Sequence, residues 1–294
     1  MRAELAPAKV NLSLHITGRR PDGYHVLDSL VVFAGVGDLI EAEPARTTSL
    51  AVRGPFSDGL SNGADNLAAK AAELMGGGSV LLTKNLPVAS GIGGGSADAA
   101  AVLRALQDTG RPLPSERAVL TLGADVPVCL AGRPARMSGI GEVLNPVSPL
   151  PPAHLVLANA GPAVSTGAVF AGLRRHDNPP PPPLPSTIPD AAALADWLKQ
   201  TRNDLAPPAK ALLPVIGAVE EALSTQPGCM LARMSGSGGT VFGLFAEARD
   251  ALAAAEALRS AAPTWWVAAA PLLGAPVTQG TTTPQNAPSA VSTG

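Results

Sequence analysis

Residues 87–101, PVASGIGGGSADAAA, concentrate the chemistry of this chain. Four glycines fall within the five residues 91–95, and a run of small helix formers follows. Glycine accepts positive φ and lets a ligand approach the main chain. A helix that begins directly afterwards adds free N–H donors and the positive end of its dipole. Together these make a cradle for phosphate. Ser96 is expected as the N-cap of that helix, or with its hydroxyl turned to a metal-bound phosphate. Two better-known phosphate motifs are excluded. A P-loop needs Lys after its last glycine, and none follows here; a dinucleotide loop would need glycine where Ser96 stands. The plain alternative is a flexible surface loop, but the glycine density directly before a capped helix favours phosphate.

Two further segments carry potential chemistry. Asp125, in LGADVPV at 122–128, sits between a small-residue turn and a proline. A carboxylate there can accept a hydroxyl proton, although a lone Asp in such a place is commonly a cap or turn residue. The segment MSGSGGTV at 234–241 is a second glycine-rich turn between apolar strands, equally readable as a bulged hairpin. Lys9 adds a hint of its own. It shares one side of an apolar, alternating strand with Asn11.

The elements that must position these groups follow from periodicity. Val10, Leu12, Leu14 and Ile16 alternate with polar residues, which predicts a strand. Further strands are expected over 26–36, 39–43, 50–53, 80–83 and 155–158, with strand, glycine turn and strand over 230–245. Helices are expected over 66–75, 97–108, 115–122, 191–199, 211–223 and 248–260. Five consecutive prolines, 179–183, read as a stiff exposed spacer. The pattern is α+β. Its boundaries are expected to give a first domain over 1–150, a second over 151–275 and a disordered tail over 276–294, rich in Thr, Pro and Ser.

Composition narrows the class. The 294 residues are 46% hydrophobic, enough for a real core, but only 3% aromatic, so packing rests on Ala, Val and Leu. The net charge is -2 and no dense Lys/Arg cluster occurs, which argues against a nucleic-acid partner. Cys129 and Cys229 lie far apart, without zinc spacing, consistent with a reduced, cytoplasmic setting. The N-terminus lacks the apolar core of a signal peptide, and the apolar stretch 265–277 is too short to span a membrane. The sequence leaves monomer or homodimer open.

Taken in order, PAKVNLSL at 7–14, the glycine loop at 87–101 and MSGSGGTVF at 234–242 resemble the GHMP kinase superfamily. PAKVNLSLHITGRRPDGYHVLDSL at 7–30, LGADVPVCLAG at 122–132, GIGE at 139–142 and NDL at 203–205 are similar to one branch of it. That branch phosphorylates a cytidine-diphosphate-linked methylerythritol, in the non-mevalonate route to isoprenoid precursors. The resemblance covers roughly residues 1–245.

It implies a two-domain fold with a left-handed βαβ crossover in the N-terminal domain, and ATP with Mg²⁺ as cofactors. Pro87, Gly91, Gly93, Gly94, Gly95 and Ser96 would hold the ATP phosphates, with Ser96 also toward Mg²⁺. Asn66 and Lys84 would lie near adenine and ribose. Asp125 would be the catalytic base, with Lys9 and Asn11 at the reacting hydroxyl. Tyr24 and His25 would hold cytosine by stacking and hydrogen bonding, Phe170 would form the opposite wall, and Thr166 would bind the same substrate. Without the resemblance, Tyr24 would be read as covering an apolar patch and Phe170 as core. His15, His25, His154 and His176 would be half-buried surface residues. A homoserine, mevalonate or sugar kinase, and a non-catalytic binding protein on the same scaffold, are the competing readings. The Tyr24–His25 pair argues against the first, and intact Lys9, Asp125 and Ser96 against the second. Ala89, Ser90 and Ala97 depart from the branch's loop; a backbone that needs positive φ at 89 or 90 is strained by a side chain there.

Overall fold

The computed structural model describes residues 1–274; the expected tail over 276–294 lies outside the described residues. In chain order the elements are β1 (Arg2–Asn11), β2 (His15–Arg19), β3 (His25–Pro44), β4 (Ser49–Arg53), α1 (Leu67–Leu74), β5 (Gly78–Thr83), α2 (Gly94–Gln107), α3 (Glu116–Leu120) and α4 (Val126–Ala131). There follow β6 (Ala135–Gly139), β7 (Val143–Pro146), β8 (His154–Asn159), α5 (Thr166–Ala171), α6 (Ala191–Lys199), α7 (Ala206–Leu212), α8 (Val215–Ser224), β9 (Leu231–Met234), β10 (Thr240–Phe245), α9 (Ala248–Ala261) and β11 (Trp266–Leu273).

The spine is β3, 20 residues long, where the sequence suggested two shorter strands. It pairs with β1, β2, β5, β6 and β11, and the sheet continues from β11 through β8 and β10 to β9. Among the described strands every pairing is antiparallel except β4 with β5, which run parallel because α1 carries the chain between them. This β4–α1–β5 unit is the crossover expected in the N-terminal half. The halves share strands, since β11 pairs with β3 through Leu272–Ala34 and with β8 along Trp266–Pro271.

Small side chains let the helices lie close to the sheet, which explains a core with so few aromatics. Ala68, Ala69, Ala71 and Ala72 of α1 and Ala97, Ala99, Ala100, Ala101 and Ala105 of α2 are all buried in one cluster with Phe33, Ile40 and Leu82. Nine of the fourteen residues of α2 are buried, so the loop that precedes it is anchored to a core helix.

Several local expectations change. The strand expected over 10–16 breaks after Asn11, where the Ser13 hydroxyl accepts from Leu30 N (3.2 Å). The helix expected over 211–223 is two helices, divided at Pro214, whose ring cannot continue the preceding turn. The proline run is not a free spacer. Pro181 is buried, the Pro179 carbonyl meets His15 Nδ1 (3.1 Å), and the Pro183 carbonyl accepts from Trp197 Nε1 (3.1 Å).

His15 is therefore an interior residue, not a surface one. Its Nε2 accepts from Arg202 N (3.1 Å), so Nδ1 carries the hydrogen and donates to Pro179. Burial pushes its pKa below the usual 6.5. The unfolded chain then takes up this proton before the folded one does. The contribution to stability is complete above pH 6.5 and is lost as pH falls. A melting-temperature series from pH 7.5 to 5.5 is expected to slope downward, and the slope is expected to be shallower in His15→Gln.

Candidate active site

The glycine loop is built against the second glycine turn. Gly93 takes the left-handed conformation (φ 66°) at the N-cap of α2, so the helix begins at Gly94. Ser96 is therefore not the cap but the third residue of the first turn. Gly91 (φ 75°) faces the 235–239 turn so closely that a Cβ there would lie 2.6 Å from the Ser235 carbonyl. The Ser235 hydroxyl donates to Gly91 O (3.0 Å) and accepts from Asn11 N (3.1 Å). Thr240 N donates to Ser90 O (2.9 Å), and Asn203 Nδ2 holds the turn through Met234 O and Gly236 O (both 2.9 Å). Asp204 accepts from Ile16 N (2.7 Å), so residues 203–205 serve the scaffold. Ala89 is the single non-glycine residue with positive φ (51°) among the described residues, so the strain expected at this departure is present.

Lys9 on β1 is tied to the loop by its own amide, which donates to Ile92 O (2.9 Å). Its side chain is 5% exposed and passes Gly93, and Nζ lies 2.8 Å from Asp125 Oδ2. Asp125 occupies the N-cap position of α4 but makes no capping hydrogen bond. The cap reading is thereby displaced; the carboxylate points to Lys9, and it is 34% exposed. The Ser96 hydroxyl faces the same turn, 3.9 Å from where a Cβ on Gly123 would sit. Asn11 donates to the Ser29 hydroxyl (2.7 Å), while its Oδ1 is buried without a partner. Cys129, one turn after Asp125, is no nucleophile: burial, with Asp125 beside it, pushes its thiol up to about 12.

A ring cluster lies beyond this pair. His25 stacks on Phe170, with centroids 4.9 Å apart, and its Nε2 lies 3.1 Å from His176 Nδ1. A base between two rings needs about 7 Å, two contact spacings, so no base fits between His25 and Phe170 in this arrangement. Tyr24 is 61% exposed. Burial, reinforced by His176 and Arg19, lowers the pKa of His25 and favours the neutral ring. Thr166, at the start of α5, bonds Ser237 of the glycine turn (2.8 Å) and so links the ring cluster to that turn.

Two expected nucleotide residues sit differently. Asn66 caps α1, accepting from Ala68 N (2.9 Å) and donating to Ser61 O (2.8 Å), so its amide is committed to the scaffold. Lys84 is 3% exposed and held between Asp38 (2.5 Å) and Asp98 (2.8 Å), turned away from solvent. Pro87 is buried, and its carbonyl accepts from Ser90 Oγ (2.6 Å). Sequence reasoning left His176 as a half-buried surface residue and passed over Ser235, Asp38 and Asp98. Ser235 lies inside a motif it had noted; the others gave no periodic or spacing signal.

Comparisons with known proteins place the chain in a family. The family description "GHMP kinases N terminal domain" matches residues 56–134, and "GHMP kinases C terminal" matches 186–264. The chain belongs to the GHMP kinases and is an ATP-dependent kinase. A protein of Cereibacter sphaeroides (strain ATCC 17025) named 4-diphosphocytidyl-2-C-methyl-D-erythritol kinase is 57% identical over 93% of this chain and 100% of its own length. One of the same name from Paracoccus denitrificans is 56% identical over 92% and 97%. A crystal structure of 4-(cytidine 5'-diphospho)-2C-methyl-D-erythritol kinase superposes with a TM-score of 0.75 at 37% identity, over 92% of this chain and 98% of that one. Within the GHMP kinases the chain is thus a member of the 4-diphosphocytidyl-2-C-methyl-D-erythritol kinase family. A homoserine kinase structure from Cytophaga hutchinsonii shares the fold (TM-score 0.62) at 17% identity.

Gly91→Ala combines positive φ with a collision against backbone, strain of about 1–3 kcal/mol. It is expected to lower the melting temperature by several degrees, read by thermal denaturation. Ala89→Gly is expected not to lower it.

Proposed function

We propose that this kinase moves the γ-phosphoryl group of ATP to the C2 hydroxyl of 4-diphosphocytidyl-2-C-methyl-D-erythritol. The observation that carries the reading is the Lys9–Asp125 pair, set beside a glycine loop that opens onto the core helix α2. The names of the relatives supply the acceptor. The loop amides of residues 91–96 and the N-terminus of α2 receive the phosphate oxygens. Lys9 holds Asp125 Oδ2, which leaves Oδ1 to accept the hydroxyl proton as the new P–O bond forms. The acceptor hydroxyl is tertiary and hindered, so holding it in line is most of the task. The unpartnered Asn11 Oδ1 is a ready acceptor for a second substrate hydroxyl. Tyr24 and Phe170 are the two walls for cytosine, His25 supplies a ring nitrogen to its edge, and Thr166 lies beside the diphosphate. Binding there is remote from the chemistry and serves to position it.

Mg²⁺ fits this donor set through the Ser96 hydroxyl, beside the Asp125 turn. When bound on the phosphates it neutralises their charge. Among the described residues no cluster of three His, Cys, Asp or Glu side chains offers another cage, and no helix is long and apolar enough to cross a membrane. We place the enzyme in the cytoplasm, as a monomer or homodimer.

Asp125→Asn keeps the shape but cannot take the proton, and it is expected to cut kcat by about 10²–10⁴. ADP release with the cytidine diphosphate acceptor measures this; turnover that survives would remove Asp125 from the role of base. CDP alone is expected to raise the melting temperature. Tyr24→Ala and Phe170→Ala are expected to abolish that rise while keeping the rise given by ATP.

A further inference from the structure

Beneath the phosphate loop lies a cluster of three charged side chains that the chemistry above does not use. Lys84 Nζ bonds Asp38 Oδ2 on β3 (2.5 Å) and Asp98 Oδ2 on α2 (2.8 Å). Asp38 and Asp98 are 0% and 3% exposed, as buried as Lys84 itself. Asp38 uses its other oxygen on the start of the loop, accepting from Asn85 N (2.6 Å) and Leu86 N (2.8 Å). Asp98 stands just past the first turn of α2, at the other end of the loop. The ammonium lies so close beneath the first residue of α2 that a Cβ on Gly94 would sit 2.9 Å from it.

Burying three ionisable groups is costly, and such a cluster does little for stability that packed apolar side chains would not do. Its geometry is specific, however. Every bond in it runs to one end of the phosphate loop or to the strand behind it. Burial holds the Asp98 carboxyl well above the ordinary range, with Asp38 adding to the rise and Lys84 opposing it. For Lys84, burial alone would depress the ammonium, but Asp98 and Asp38 outweigh it and raise its pKa.

We propose that Lys84, Asp38 and Asp98 are positioning residues, a buried clamp that fixes both ends of the phosphate loop and sets affinity for the nucleotide's polyphosphate without touching the nucleotide. This rests on the reading of residues 91–96 as the phosphate cradle. It differs from a direct contact of Lys84 with adenine or ribose in one measurable respect. A direct contact acts on every adenine nucleotide, whereas the clamp acts only where phosphates occupy the loop.

The decisive variant is Asp98→Ala. It cuts the tie to α2 and leaves Lys84 paired with Asp38, so no charge is stranded. Calorimetric titration with ATP and with AMP, on wild type and variant, reads the effect. About a tenfold loss of ATP affinity is expected, with AMP affinity changed less than twofold; tenfold is about 1.4 kcal/mol. In steady state, KM for ATP is expected to rise while KM for the acceptor stays put. Asp98→Asn, which keeps an acceptor for Lys84, is expected to restore most of the loss. Should Asp98→Ala not fold, Asp38→Asn with Lys84→Met and Asp98→Leu removes all three charges while keeping an acceptor for the Asn85 and Leu86 amides, and the same ATP-selective loss is expected. Equal losses for ATP and AMP, or none for either, would overturn the clamp. Wild-type protein that binds neither nucleotide would instead overturn the cradle on which it stands.

Discussion

Two glycine segments that lie some 140 residues apart in sequence touch main chain to main chain, and the site exists because they do. The loop before α2 and the turn between β9 and β10 leave no room for Cβ atoms where they meet. Their carbonyls and amides would be costly to bury without partners. The partners are supplied by Ser235, Asn203 and the Thr240 amide. Each of these comes from the C-terminal half, while the loop comes from the N-terminal half. A glycine loop is only as fixed as the groups that hold its backbone, so the second half of the chain is a structural part of the loop's frame.

The chemistry is set on this frame by a second constraint. Lys9 reaches Asp125 because β1 is bonded to the loop at Ile92 and because Gly93 leaves space for the lysine stem. The pair is partly buried, in a region where solvent screens charge less than at an open surface. A carboxylate in the cap position that does not cap is a conformational choice with a cost to α4. Its orientation is explained by Lys9 and not by helix stability.

The glycine loop and the helix after it were legible in the sequence because glycine density and a helix start act locally, through backbone conformation alone. Lys9 and Asn11 were legible through alternation along one strand. The helix α1 and strand β5 appeared close to their expected limits for the same reason. What stayed hidden depends on contacts between distant segments. His15 looks like any polar residue of an alternating strand until Pro179 and Arg202 close over it. The family resemblance alone set Lys84 near adenine and ribose, but two aspartates 46 and 14 residues away in sequence claim it. Ser96 appeared to be the cap because hydroxyls usually cap; Gly93 takes the place since only a left-handed residue can turn the chain there. The break at Pro214 was written in the sequence and overlooked in favour of apolar spacing.

The last strand of the sheet has a consequence for how the protein is made. β11 closes against β3 at Ala34 and Phe33, joining residues about 240 positions apart. On that side of β3, β6 pairs with residues 27–31 and β5 with residues 39–44, so β11 fills a short gap between two strands made long before it. An open strand edge is a template for wrong pairing, and a short one is a weak template. In the nascent N-terminal half only this short stretch of β3 stays open, and the sheet closes there once residues 266–273 are made.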